Sequence, residues 1–198
     1  MKKLFKILLA IAIVVVVGFL VMGLVMPKDI TVSRTATMHA PKDVVFNQMS
    51  NFKNWTNWSP WYKMDPGVKM TYTGTDGAAG AAYHWEGDEK KSGAGDMKCV
   101  GINGTAMNYE VAFTKPNHGQ ANGVLKADDA GNGTTTATWS FTMHMPFPFN
   151  AMTVFMNMDK MLGKDFEDGL ANMKGYVENM PAPAAPAPAA DTVKPAVQ

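Results

Sequence analysis

Four histidines and one cysteine are the residues of this 198-residue chain best suited to metal or nucleophilic chemistry, and their placement argues against both. His39, His84, His118 and His144 fall in separate segments, with no spacing that would converge three or four ligands on one zinc ion. Cys99 stands alone, so neither an internal disulfide nor a cysteine-rich metal site can form. There is no G-x-S-x-G, Walker loop, dinucleotide fingerprint or H-E-x-x-H. His84 and Glu86 could act as an acid/base pair, since both side chains carry protons readily. They share the strand phase opposite to Tyr83 and Trp85, however, and a polar pair on a wet face is the simpler reading. Asp96 and Glu110 would point inward only if the strand register slipped by one residue. No catalytic residue stands out, and neither a metal nor a cofactor is expected.

The elements that would position these residues can be read from periodicity. Residues 29–40 alternate as a strand, with Ile30, Val32, Ala36 and Met38 in one phase. Pro41 then opens a short helix whose apolar face carries Val44, Val45, Phe46 and Met49. A loop at 54–62 spaces Trp55, Trp58 and Trp61 three residues apart. Short β-runs follow at 68–74, 81–86, 93–102, 106–115, 123–127 and 134–145, separated by Gly/Asn/Asp clusters suited to hairpins. Such spacing implies an antiparallel meander. The last run alternates most clearly, with Ala137, Trp139, Phe141, Met143 and Met145 on one side and Thr136, Thr138, Ser140, Thr142 and His144 on the other. After Pro146-Phe147-Pro148 the period changes to three and four. Phe155, Met158, Leu162, Phe166, Leu170, Met173 and Val177 then define one face of a long helix, in which Gly163 marks a bend or break.

Both ends of the chain differ from this pattern. Residues 7–26 are twenty uncharged, almost wholly apolar positions, about 30 Å as a helix and long enough for a bilayer core. A cleaved signal peptide also begins with basic residues. Here the apolar run is too long for one, and bulky Met22, Leu24, Val25 and Met26 occupy the place of a small-residue cleavage site. An uncleaved single-pass anchor is the expectation. Lys2, Lys3 and Lys6 precede the span against Lys28 alone just after it, which puts the N-terminus in the cytoplasm and the domain outside it. In a Gram-negative source that compartment is the periplasm. From Pro181 the sequence becomes Pro/Ala-rich, a disordered or extended tail that could serve as a polyproline II spacer. The expected organisation is therefore an anchor at 1–27, one folded domain at 28–180 and a tail at 181–198. Charge excludes one class of partner. Eighteen basic residues balance 17 acidic ones, the lysines are scattered and Arg34 is the sole arginine, so no nucleic-acid face exists.

One combination of motifs resembles a known family. The first strand runs into Ala40-Pro41-x-x-Val44-Val45-Phe46, and Trp55-x-x-Trp58-Ser59-Pro60-Trp61 follows. Gly80-x-x-Tyr83-x-Trp85-x-Gly87, Trp139-x-Phe141 and Pro146-Phe147-Pro148 come later. Together, over about 28–180, they resemble the START-like or SRPBCC superfamily, and within it the bacterial polyketide cyclase/dehydrase-like group. The resemblance implies an α+β helix-grip fold, in which a curved antiparallel sheet wraps a long C-terminal helix and leaves a cavity between them. It also implies a ligand class, since relatives bind lipids, sterols, hormones or polyketide intermediates.

On that fold the concave face should carry Tyr83, Trp85, Tyr109, Val111, Phe113, Trp139, Phe141 and Met143, and the helix Phe155, Met158, Met161, Leu162 and Phe166. The site expected to hold a small hydrophobic ligand comprises Tyr83, Trp85, Tyr109, Phe113, Trp139, Phe141, Met143, Phe155, Met158, Leu162 and Phe166. The same residues also read as ordinary core, although 17 methionines, whose thioethers fill irregular space, favour a cavity slightly. The tryptophans at 55, 58 and 61 read as local core closing the end of the sheet, or as rings dipping into a membrane interface. The leading expectation is a membrane-anchored binding domain for a hydrophobic or lipid-like ligand, met near a bilayer through residues 7–26. An enzyme of cyclase or dehydratase type is the alternative, and requires an ionisable group lining the cavity. A structural or interaction module using the Pro/Ala tail is the third, with no protein partner to name.

Overall fold

The structure is a computed structural model, and it describes residues 2–155 and 157–181. Of the expected tail, only Pro181 falls inside that range. The first apolar run is one helix, α1 (Lys2–Val25), whose side chains are exposed almost throughout. It is the one helix among the described residues long and apolar enough to cross a membrane, by length and composition, and a signal sequence would pass the same test. Pro27 ends it, having no N–H to continue the ladder.

Behind it come β1 (Asp29–Met38), α2 (Lys42–Ser50), a 3₁₀ turn at Phe52–Asn57 and the short α3 (Pro60–Met64). Six strands follow: β2 (Lys69–Thr73), β3 (Ala82–Glu86), β4 (Ala94–Asn103), β5 (Ala106–Lys115), β6 (Gly119–Gly131) and β7 (Thr134–His144). A second 3₁₀ turn at Phe149–Val154 leads into α4 (Met158–Glu178). The seven strands form one curved antiparallel sheet in the order β1-β7-β6-β5-β4-β3-β2, so the meander is closed at one edge by β1 returning beside β7. Together with α4 packed along β1, this is the helix-grip arrangement.

Three local readings change. The run at 123–127 is the middle of a much longer β6, which pairs from Gly119 to Gly131. Asn122-Gly123 looks like a hairpin turn in sequence but lies mid-strand, opposite Glu110 and Tyr109. Gly123 is required there because a Cβ would collide with the Ser140 carbonyl and the Tyr109 hydroxyl. The tryptophan segment is helical rather than a loop, with Trp55 and Trp58 fully buried. Gly163 produces no break, since α4 runs straight through it.

What Gly163 does provide is room for Arg34. In β1 the inward phase is Ile30, Val32, Arg34, Ala36 and Met38, so the only arginine points at α4. Its guanidinium binds Asp159 at 2.8 and 3.0 Å and Glu167 at 2.7 Å, one turn to each side of Gly163. A Cβ at 163 would overlap that guanidinium. The pairing satisfies an inward-facing charge that would otherwise be costly.

Candidate functional site

The space between the concave sheet face, α3 and α4 is not filled. A cavity of about 280 Å³ remains, close to the lower end of small-ligand pockets. Tyr83, Trp85, Tyr109, Phe113, Trp139 and Phe141 line it from the sheet, and Leu162 and Phe166 from α4. Three other residues of the expected site lie elsewhere. Met143 and Met158 pack against the edge of the core, Met158 beside the start of β1. Phe155 precedes α4, in a turn closing the 3₁₀ segment, and is 74% exposed. Extending the helical period back across residue 157 misassigned it, because Asn157 caps the helix by accepting from the Lys160 N–H at 3.0 Å. Met161 is likewise exposed.

Sequence reasoning missed part of the lining. Trp55, Trp61 and Tyr62 close the cavity from the tryptophan segment, and Met70 and Met97 complete it. For Trp55 and Trp61 the signal in the sequence is the three-residue spacing they share with Trp58. Trp139 organises this wall. It stacks on Phe166 at 4.2 Å between ring centres and meets Trp55, Trp58 and Trp61 edge-on at 5.4–5.5 Å. Gly169 lets α4 come this close, as a Cβ there would stand 2.9 Å from the Trp139 ring.

Polar groups in the wall are almost all satisfied by the protein. The Trp139 indole donates to the Tyr109 hydroxyl at 3.1 Å, which itself donates to the Ser140 carbonyl at 2.6 Å. Trp85 donates to the Ser92 carbonyl, Trp61 to the Asp165 carboxylate, Trp55 to the Met49 carbonyl, and Tyr62 shares a hydrogen bond with Tyr72. Among the lining residues, the Tyr83 and Ser59 hydroxyls make no hydrogen bond to the described residues. Burial pushes the Tyr62, Tyr83 and Tyr109 hydroxyls well above the ordinary phenol range, so all three stay neutral.

Charged groups are confined to the rim. Glu89, Lys91, Ser92 and Gly93 come from the β3–β4 loop, and Lys115 and Pro116 from the β5–β6 turn. Asp65, 5% exposed, fastens that loop by accepting from the Ser92 hydroxyl at 2.5 Å and the Asp88 N–H at 2.9 Å. These bonds hold its carboxylate below the usual range, with Lys91 adding to the effect. His84 and Asp96 form an exposed cross-strand pair at 2.9 Å on the outer face. Glu110 is also exposed, so neither Asp96 nor Glu110 reaches the cavity. No cluster of three metal-ligating side chains exists among the described residues.

Comparison with known proteins agrees with this architecture. Among solved structures, norcoclaurine synthase from Thalictrum flavum is 11% identical with a TM-score of 0.57, over 80% of this chain and 92% of that one. The Zhui aromatase/cyclase from a Streptomyces species is 14% identical with a TM-score of 0.55, over 76% and 94%. A protein from Chromobacterium violaceum is 14% identical with a TM-score of 0.55, over 78% and 100%. Identities this low carry the fold alone. No curated protein matches the chain. The family described as "Polyketide cyclase / dehydrase and lipid transport" matches residues 29–178, from the first residue of β1 to the last of α4, and the chain belongs to that family.

Proposed function

We propose that this protein is a membrane-anchored binding domain for a small hydrophobic or lipid-like molecule held in the cavity. The observation that carries the reading is the division of the wall, with aromatic and aliphatic side chains inside and charge only at the rim. Such a surface stabilises an apolar body by removing it from water, at about 25 cal/mol per Å². The Tyr83 hydroxyl offers a single donor to an acceptor on that body. In this reading α1 is an uncleaved span, with the domain on the far side from the cytoplasm. Eight of the eleven residues expected from the sequence, from Tyr83 to Phe166, would touch the ligand directly.

The test is native mass spectrometry and organic extraction of the full chain in lipid nanodiscs, compared with Val111→Phe and Leu162→Trp, which fill the cavity from opposite walls. A molecule carried by the natural chain and lost from both folded variants is the expected result. Identical extracts from all three would overturn the proposal. Replacing Tyr83 by Phe should weaken an acceptor-bearing ligand by about 0.5–1.5 kcal/mol and leave a pure hydrocarbon probe unaffected.

An enzymatic reading has one observation in its favour, the titratable rim. Glu89, Lys91 and Lys115 face the same opening, and proton transfer to a bound ligand would have to pass through them or a neutral tyrosine. Lys91→Met and Lys115→Met separate the two readings. Binding retained in both variants with no turnover of the bound molecule even by the natural chain supports a carrier, whereas turnover by the natural chain that is lost from the variants with binding intact supports an enzyme.

A further inference from the structure

Between Met145 and Met158 the chain carries no charged side chain, and the middle of this segment is an exposed apolar ridge. Phe147 is 43% exposed, Phe149 58%, Met152 41%, Val154 51% and Phe155 74%. Scattered apolar side chains need no explanation, but five large ones within nine residues form the kind of patch that marks an interaction surface. What lies beside the patch identifies its partner. Asn150, in the middle of the stretch, is fully buried and donates to the Gly23 carbonyl in the last turn of α1 at 2.7 Å and to the Met26 carbonyl just beyond the helix at 2.8 Å. The Phe147 ring packs so closely on Gly23 that a Cβ there would lie 3.0 Å away. The ridge is thus fixed to the point where α1 meets the domain.

Strand register adds the orientation. Asp29 pairs with His144, Met143 with Ala121, Gly119 with Phe113, Lys115 with Ala94, and Ala94 with Glu86. The strand ends beside α1 and those bearing the cavity rim therefore belong to one end of the sheet. The β6–β7 turn lies at the other.

We propose that the 147–155 ridge lies in the headgroup layer of the bilayer that α1 crosses, a second membrane contact that turns the cavity mouth towards the lipid. The proposal rests on reading α1 as an anchor. Phenylalanine and other large apolar side chains suit the boundary of that layer with the acyl chains, where they are buried without dehydrating charge. The ridge also offers no carboxylate to be repelled by anionic lipid.

The test uses the full chain in phosphatidylcholine/phosphatidylglycerol vesicles, with Phe149→Cys, Phe155→Cys or Ala130→Cys carrying an environment-sensitive fluorophore. Buried Cys99 is the labelling control in the unsubstituted chain. Expected are blue-shifted emission at 149 and 155, quenched several-fold more strongly by lipids spin-labelled near the headgroup than emission at 130. Equal, water-like emission at all three positions, in chains that resist alkaline carbonate extraction, overturns the ridge while leaving the anchor. Blue-shifted emission without lipid quenching also overturns it, in favour of a protein partner. Release of the chain by carbonate overturns the anchor and the ridge with it.

Discussion

At the scale of single residues, Tyr109 shows how the cavity wall is held without being filled. Its ring crosses Gly123 on the neighbouring strand, and its hydroxyl links the Trp139 indole to the Ser140 carbonyl. Replacing Tyr109 by Phe keeps the ring and removes the link, leaving a buried donor and a carbonyl with a lost partner. The expected cost is about 1–3 kcal/mol, measured by urea denaturation, because orphaned buried polar groups bear the full desolvation penalty. A variant as stable as the natural chain would show that water replaces the hydroxyl. The aromatic positions were legible in the sequence because alternation in β7 and β3 assigns a face to every second residue. Arg34 was less so. Its inward phase could be counted, but its function depends on Asp159, Gly163 and Glu167, over a hundred residues away.

The same arginine decides the behaviour of an element. Gly163 sits in the middle of α4, where replacing glycine by alanine in an unobstructed helix gains up to about 1 kcal/mol. Here the added methyl group meets the Arg34 guanidinium, itself held by two carboxylates. Gly163→Ala should therefore lower the Tm, and in an Arg34→Met background the same substitution should raise it by about 2–4 °C. A rise in both backgrounds would mean that Arg34 swings aside at no cost. The sign reversal is a coupling between contacting residues, read directly by the double-mutant cycle. Element types were mostly readable for the same reason as the faces, from period and turn residues. The errors came where a tertiary contact overrules local preference: Asn122-Gly123 extends through a strand to admit Tyr109, and the tryptophan segment coils into short helices because its rings pack on Trp139. The missed lining followed from that second error, since a segment read as a loop offers no face to assign.

Across the whole molecule, three of the carboxylates that join elements distant in sequence are held below their ordinary range. Asp65 fastens the cavity-rim loop through Ser92 and Asp88. Asp159 joins the start of α4 to β1 through Arg34. Glu178 joins the end of α4 to the end of β1 by accepting from the His39 N–H at 2.7 Å and from Lys174. A depressed folded pKa contributes stability that is complete above the unfolded value, near 4, and is lost as pH falls through the folded one. Asp165 works the other way. Burial raises its pKa, and the Trp61 hydrogen bond and Lys164 only partly oppose the rise, so its protonation on acidification favours the fold. Three groups against one set the sign. The Tm should be flat from neutral pH to about 5 and fall below about 4, with both ends of α4 and the rim loop releasing in the same range. Hydrogen exchange at pH 3.5 and 7 localises the effect, and faster exchange at acid pH than intrinsic chemistry predicts is expected at residues 87–93 and in the terminal turns of α4. An Arg34→Met chain already lacks the Asp159 contribution and should show a shallower acid slope. An unchanged slope would place the acid sensitivity at Asp65 and Glu178 alone, and a Tm that rises on acidification would make Asp165 the dominant carboxylate.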